Sequence, residues 1–345
     1  MGLFAPVGAA LSAWLGTRLA MTIGLVLIGV FGILRGLGPT TWLVVLLTLP
    51  VGIGMGIGNA TAPLAVRETV PARPATGTGV YATGIQLGSA IAAAIAVPLA
   101  AVLGGWRGAL SALSAASCLV AVAWMLLERG GEAHVRSTRA LVPRLPWRSH
   151  TAWLLVAIFV SMSSSYYGLV AWLPDAYVEH GWSDDAAGGL VAALSVTAIP
   201  ASFALPWLSD RHGGRRPWLL GCAIGFALGT LALILLPGGA YVWALLAGVA
   251  QGGLFSLVMT LPLDLAEGRA RVAALVAMML GLGYSVAAVS PFVLGAVRDV
   301  TGSFDAVLWV CVALLSLLAL FVSLLPRPSS ARPAAQALGG YTEEA

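Results

Sequence analysis

The sequence predicts an all-α integral membrane protein, a bundle of long helices arranged as two similar halves. Three observations predict it. Hydrophobic residues make up 59% of the 345-residue chain and charged residues only 9%, where a water-soluble domain carries roughly a quarter charged residues. The apolar residues fall in runs of spanning length, since crossing a bilayer takes about 20 mainly apolar residues. A polar loop between two such runs has a weaker copy earlier in the chain. Leu208-Ser209-Asp210-Arg211-His212-Gly213-Gly214-Arg215 is answered by Leu11-Ser12-Ala13-Trp14-Leu15-Gly16-Thr17-Arg18, with Leu, Ser, Gly and the last Arg in register at an offset of 197.

By that ruler the chain holds eleven segments. A short one covers residues 2–16. Full spans follow at 19–38, 41–65, 77–101, 106–127, 151–173, 186–207, 218–236, 241–263, 273–297 and 305–325. The longest polar connection, 128–150, carries Arg129, Arg136, Arg139, Arg144 and Arg148 and separates a five-span half (1–127) from a six-span half (151–325). The Pro-, Ser- and Ala-rich tail 326–345 reads as disordered. Further matches support a duplication: Pro63 with Pro262, and Gly84-x3-Gly88 with Gly281-x3-Ser285.

Charge sets the expected orientation. One side of the alternating loops holds Arg18, Arg67, Arg73, the 128–150 connection, the 209–217 loop, 264–271 and the tail, 15 of the 18 Arg in all. Cytoplasmic loops carry the excess of basic residues, so that side and the C-terminus are expected in the cytoplasm, with the chain in the cytoplasmic membrane. The loop 174–185, with Asp175, Glu179, Asp184 and Asp185, falls on the opposite side. The net charge of +4 therefore reads as topogenic and not as a nucleic-acid surface. All the basic residues are Arg, which we read as codon bias. Cys118, Cys222 and Cys311 each sit inside an apolar run, so they read as small buried hydrophobes and not as metal or disulfide ligands. No metal, cofactor or catalytic residue is expected, and no signal peptide is visible.

In the 208–217 loop the two glycines permit a tight turn, while Asp210 and Arg215 stand where one helix ends and the next begins. An acid inside a basic turn serves no topogenic purpose. Asp210, Arg211 and Arg215 are therefore the gating candidates, against the plainer reading of simple positive-inside anchoring. Candidate solute contacts are the polar and aromatic residues deep in spans: Asn59, Tyr81, Gln86, Tyr167, Trp172, Gln251 and Tyr284. A side-chain amide in hydrocarbon needs a partner or a wet cavity; helix-to-helix bonding is the alternative, and for Trp172 so is interfacial anchoring. Ser163, Ser164 and Ser165 offer wettable surface or bond their own helix.

The 208–217 loop resembles the signature between the second and third helices of each half of the major facilitator superfamily. A narrower resemblance, to the cyanate permease family that includes nitroimidazole transporters, rests on five stretches in order. They are Asn59-x3-Pro63-x3-Arg67, Tyr81-x2-Gly84-x3-Gly88, Gly105-Trp106-Arg107-Gly108, the run from Tyr166 to Pro174, and Gly283-Tyr284-x6-Pro291-x3-Gly295-x3-Asp299-x-Thr301-Gly302-Ser303. The resemblance implies a twelve-helix carrier that moves a small polar solute, a cyanate-like anion or a nitroimidazole-like compound, by alternating access as a monomer. Gly2–Pro6 then looks like the middle of the second helix, with the first helix and part of the second missing. A drug-export carrier, a multi-span enzyme and a non-transporting remnant or sensor are the rival readings. The first would carry a Gly-Pro pair where Ser89-Ala90 follow Gly88, and the second a nucleophile or metal cluster that His134, His150, His180 and His212 do not form.

Overall fold

In a computed structural model, residues 4–70, 72–127 and 145–326 are described, and they form ten α-helices in one bundle. In chain order these are α1 (Ala5–Leu37), α2 (Thr41–Thr69), α3 (Pro74–Val102), α4 (Trp106–Leu127), α5 (His150–Glu179), α6 (Asp184–His212), α7 (Arg215–Leu235), α8 (Ala240–Leu265), α9 (Arg269–Thr301) and α10 (Phe304–Ser323). All are long and apolar enough to cross a membrane. The expected disordered tail, apart from Pro326, and most of the 128–150 connection lie outside the described residues.

Ten helices accommodate eleven expected segments because α1 contains two. At Gly16 the backbone leaves the helix (φ 84°, ψ 162°), a conformation open to glycine because it lacks Cβ. Before the break, Gly8 packs on Gly56 and Ile57 while Ser12 bonds Thr61, so this segment runs parallel to α2. After it, Gly24 packs on Gly58 and Gly54 packs on Leu27 and Ile28, so the chain runs back antiparallel. Gly16 is thus a hairpin point.

The helices outrun the spans read from hydropathy. α5 continues past Pro174 to Glu179, and α6 starts at Asp184, so the expected loop 174–185 shrinks to four residues. A hydropathy ruler reports the hydrocarbon core, about 30 Å thick, while a helix continues into the interface, where water and caps satisfy its ends. Ser183 caps α6 through its side chain, accepting from the Ala186 N–H, with Asp184 and Asp185 in the positive first turn. Ser149 caps α5 in the same way. Prolines at 50, 63, 98, 174, 200, 206, 262 and 291 lie inside helices, which membrane bundles tolerate because neighbours re-satisfy the freed backbone groups.

The main core joins α5–α10 to residues of the early helices, among them Ala5, Ala9, Ala60 and Leu64. Large apolar side chains such as Trp42, Leu46, Val80, Leu119 and Phe292 point outward, as a lipid-facing surface requires. Close approaches use small residues. Gly248 and Gly252 bring α8 onto the backbone of α6 at Leu194 and Ala198, and Gly229 brings α7 onto Ala247. α3 meets α6 where Gly79 packs on Ser202 and Phe203, and where Thr83 and Ser202 share a hydroxyl hydrogen bond of 2.8 Å.

A methyl group at Gly252 would collide with the Ala198 backbone, which has no flexible end to give way, whereas nothing lies within 4 Å of a methyl at Gly221. Gly252→Ala is expected to destabilise the purified protein by about 1–3 kcal/mol. Gly221→Ala is expected to leave it unchanged or raise it by about 0.5–1 kcal/mol. Unfolding of both variants in detergent checks the pair.

Candidate gate and solute site

The candidate gate is built on the turn between α6 and α7. Gly213 (φ 73°, ψ 170°) closes α6, its N–H bonding the Ser209 carbonyl, and Gly214 (φ 70°, ψ 82°) starts α7 at Arg215. Two successive positive-φ residues turn the chain within two positions, which sets the Arg215 side chain beside the last turn of α6. One oxygen of Asp210 accepts from Arg215 Nη1 at 2.6 Å. Its other oxygen accepts from the Thr76 backbone N–H at 2.6 Å and the Thr76 hydroxyl at 2.7 Å. Thr76 lies in the first turn of α3, where unpaired N–H groups and the helix dipole favour an anion. Arg215 meanwhile grips Asp264, near the end of α8, with two prongs: Nε at 2.5 Å and Nη2 at 3.1 Å. The side chains of Asp210, Arg215 and Asp264 are 9%, 14% and 14% exposed. Four helices therefore meet on one cation and two carboxylates.

Arg211 stands outside this network. It is exposed, its guanidinium 5.5 Å from the Trp207 ring centroid on the same helix. Arg216 donates to the Ser323 carbonyl at the end of α10.

The earlier copy of the loop shows what was added. Gly16 matches Gly213 in backbone conformation at an offset of 197. Arg18 donates to the Met125 carbonyl at 2.7 Å, at the end of α4. That contact matches Arg216 with Ser323, now at an offset of 198 for both partners. The later turn is longer by one residue, so at that offset Arg215 matches Thr17, although the sequence aligned it with Arg18. In the earlier copy the Thr17 hydroxyl donates to Glu68 at 2.6 Å.

At about 1.5 Å per residue from the Arg-rich end of each helix, Asn59, Tyr81, Gln86, Gln251, Tyr284 and Tyr167 lie roughly 10–25 Å deep. The Tyr81 hydroxyl donates to Asn59 Oδ1 at 2.9 Å, and Asn59 Nδ2 donates to the Met55 carbonyl at 3.1 Å, so this pair is tied down. Tyr81 and Tyr167 lie within electrostatic reach of Tyr284, whose ring stands edge-on to Phe159 at 4.9 Å. The three phenols are contributed by α3, α5 and α9. Gln86 is half-buried on the α3 face it shares with Gly79 and Thr83, the face that meets α6. Gln251 is buried, and its Oε1 has no hydrogen-bond partner.

Trp172 is placed otherwise. Its indole N–H donates to the Pro291 carbonyl at 3.1 Å, and its ring packs on Gly295 and Phe304, which fits a wedge between α5, α9 and α10. Ser163, Ser164 and Ser165 are buried; Ser165 bonds the Ser161 carbonyl and reaches the Cys311 carbonyl. The sequence singles out neither Thr76 nor Ser202, and Asp264 only as part of the Arg-rich stretch 264–271. A groove of about 700 Å³ between α6, α7 and α8, lined by Trp218, Cys222, Gly225 and Trp243, opens on the flank of the bundle, away from the phenols.

The family model described as the Major Facilitator Superfamily matches residues 1–288 and, in a second match, 177–340. The chain belongs to the major facilitator superfamily. This transporter is 30% identical over 318 residues to the 2-nitroimidazole transporter of Escherichia coli (strain K12), covering 92% of this chain and 80% of that one. It is 29% identical over 305 residues to the cyanate transport protein CynX of the same organism, covering 88% and 79%. In structure it is similar to a variant of the E. coli fucose:proton symporter FucP, with a TM-score of 0.75 and 16% identity, over 94% of this chain and 88% of that one. It is a multi-pass membrane protein of the secondary transporter class, and the relatives it matches are themselves transporters.

Removing Arg215 leaves two largely buried carboxylates without their shared cation. Arg215→Ala is expected to cost about 3–5 kcal/mol, whereas Arg211→Ala forfeits one exposed cation–aromatic contact worth under about 1 kcal/mol. Denaturant titration of both purified variants checks the difference; equal losses would remove Arg215 from its central place.

Proposed function

We propose that this transporter carries a small polar solute across the cytoplasmic membrane by alternating access, as a monomer. Its Arg-rich end and C-terminus would face the cytoplasm, as the loop bias of Arg supports. The names of its relatives, a 2-nitroimidazole transporter and a cyanate transport protein, support the size and polarity of the solute. The phenols of Tyr81, Tyr167 and Tyr284, with Asn59, Gln86 and Gln251, form the solute site at mid-membrane depth. No catalytic chemistry or cofactor belongs to this reading.

The observation that carries it is the Asp210 carboxylate, bound at once by Thr76 on α3 and by Arg215 on α7. Alternating access requires one end of the bundle to be closed by contacts that can break as a unit. Asp210 is such a contact, because it fastens α6 to the first turn of α3. With it in place the cytoplasmic end is shut and the solute site communicates with the other side. Trp172, held by the Pro291 carbonyl, braces the wall behind the site.

Asp210→Asn keeps the shape and one acceptor but loses the charge that holds three donors. A hydrogen bond to a charged group contributes about 1.5–3 kcal/mol, so a loss of roughly 2 kcal/mol shifts the balance of open and closed cytoplasmic ends roughly thirtyfold. Flux of 2-nitroimidazole in proteoliposomes is expected to fall while membrane abundance stays normal. Unchanged flux at unchanged abundance would take Asp210 out of the mechanism.

A further inference from the structure

The groove between α6, α7 and α8 belongs to neither the gate nor the solute site. It holds about 700 Å³. Its lining runs along α7 from Pro217 and Trp218, in the first turn at the Arg-rich end, to Ala232. At about 1.5 Å per residue that is roughly 20 Å, more than one leaflet's share, roughly 15 Å, of the hydrocarbon core. Glycine opens the groove. A methyl at Gly221 would meet nothing within 4 Å, and one at Gly225 only the Ala250 Cβ, at 3.4 Å. One turn on, Gly229 seats α7 against Ala247 of α8. None of the lining side chains is charged, and the Trp243 N–H is already spent on the Leu236 carbonyl. Leu228, Leu246 and Val249 stay exposed along it. Such a trough offers a polar solute no hydrogen bond to replace its water, while a hydrocarbon chain leaves nothing unpaired in it.

The second observation is the charge at its Arg-rich mouth. His212, at the end of α6, sets its ring 6.2 Å from that of Trp218. Arg211, next to it, is exposed and outside the ionic network, its guanidinium resting on Trp207. The one acid of this turn, Asp210, is bound by Thr76 and Arg215, and Arg216 is turned toward α10. The mouth therefore presents an exposed guanidinium with indoles close by, and Trp rings settle at headgroup level. Basic groups between helices at the cytoplasmic side of a bilayer bind anionic headgroups. A zwitterionic headgroup gains less, because its own ammonium offsets its phosphate.

We propose that this groove is a binding site for an anionic phospholipid of the surrounding bilayer. One acyl chain lies along α7 between Trp218 and Ala232, and Arg211 holds the headgroup. Arg211, which the gate leaves out, thereby has a ligand of its own. The lipid packs beside the turn that carries Asp210 and Arg215, so it braces α6 against α7 where the gate is anchored.

The test is native mass spectrometry of the full chain in detergent, titrated with phosphatidylglycerol or phosphatidylcholine bearing the same palmitoyl and oleoyl chains. The first phosphatidylglycerol is expected to bind roughly fivefold more tightly than the first phosphatidylcholine, the worth of one Arg at an anionic surface. Arg211→Ala should bring phosphatidylglycerol down to the phosphatidylcholine level. Gly221→Phe, which fills the open space in front of α7, should lower retention of both lipids; if that variant fails to fold, Gly221→Leu makes the same test. Equal binding of the two lipids by the unaltered protein overturns the inference. So does a preference that survives Arg211→Ala, or retention unchanged when the groove is filled. A dimer mass that disappears in Gly221→Phe would give the groove to a second copy of the chain instead, and would also overturn it.

Discussion

Among the described residues charge stays near helix ends or the Gly16 break, and at one helix end it does more than face water. Asp210 is held from two sides, by the first turn of α3 and by a guanidinium that also grips Asp264. Each partner has its own reason to be there. The N-terminus of α3 offers unpaired N–H groups at the positive end of a helix dipole. Arg215 is pinned by the two-prong geometry that guanidinium and carboxylate share. The turn that delivers it needs two consecutive positive-φ residues, which Gly213 and Gly214 supply. Take away Arg215 and both carboxylates stand largely buried without their counter-charge. That interdependence makes the contact behave as a unit, as a gate must.

The interior follows the opposite rule. Among the described residues, polarity within the hydrocarbon depth comes as neutral groups, and these mostly satisfy one another or their own backbone. Ser165 turns to Ser161, Thr61 to Ile57, Tyr81 to Asn59. Gln251 Oε1, by contrast, is buried without a partner. A bundle that moves also needs helices in close contact without interlocking bulk, and the glycines of α8 against α6 provide that. The ionic contact at the helix ends and the neutral bonding of the interior are thus two solutions to one problem, that of placing polar atoms where water does not reach.

Much of this was legible in the sequence because the signals were local. Apolar run length revealed the spans, and the Ser–Gly–Arg echo at residues 12–18 and 209–215 revealed the repeat. Gly16 and Gly213 do share a backbone conformation. What escaped depended on three dimensions. Arg215 aligned with Arg18 in the sequence, yet the contact with the last turn of α4 or α10 pairs Arg18 with Arg216 instead. A one-residue insertion is invisible when both neighbours are Arg. Arg211 shares the loop with Asp210, but side-chain direction sends it to Trp207. Thr76 carries no signal in a chain rich in small polar residues, and its role comes from being at a helix N-terminus near another helix. Asp264 had a weak one, as the acid that ends an otherwise uncharged α8.

The central claim is that the Asp210 contact with α3 holds the Arg-rich end closed and must break during transport. A distance measurement across that contact tests it most directly. Arg73 and His212 are exposed beside it, so Arg73→Cys and His212→Cys can carry spin labels in a background without the three native cysteines. Pulsed electron resonance in lipid should then report two distance populations, with the longer one growing when Asp210→Asn is added. A single short distance, unmoved by Asp210→Asn, would contradict the account.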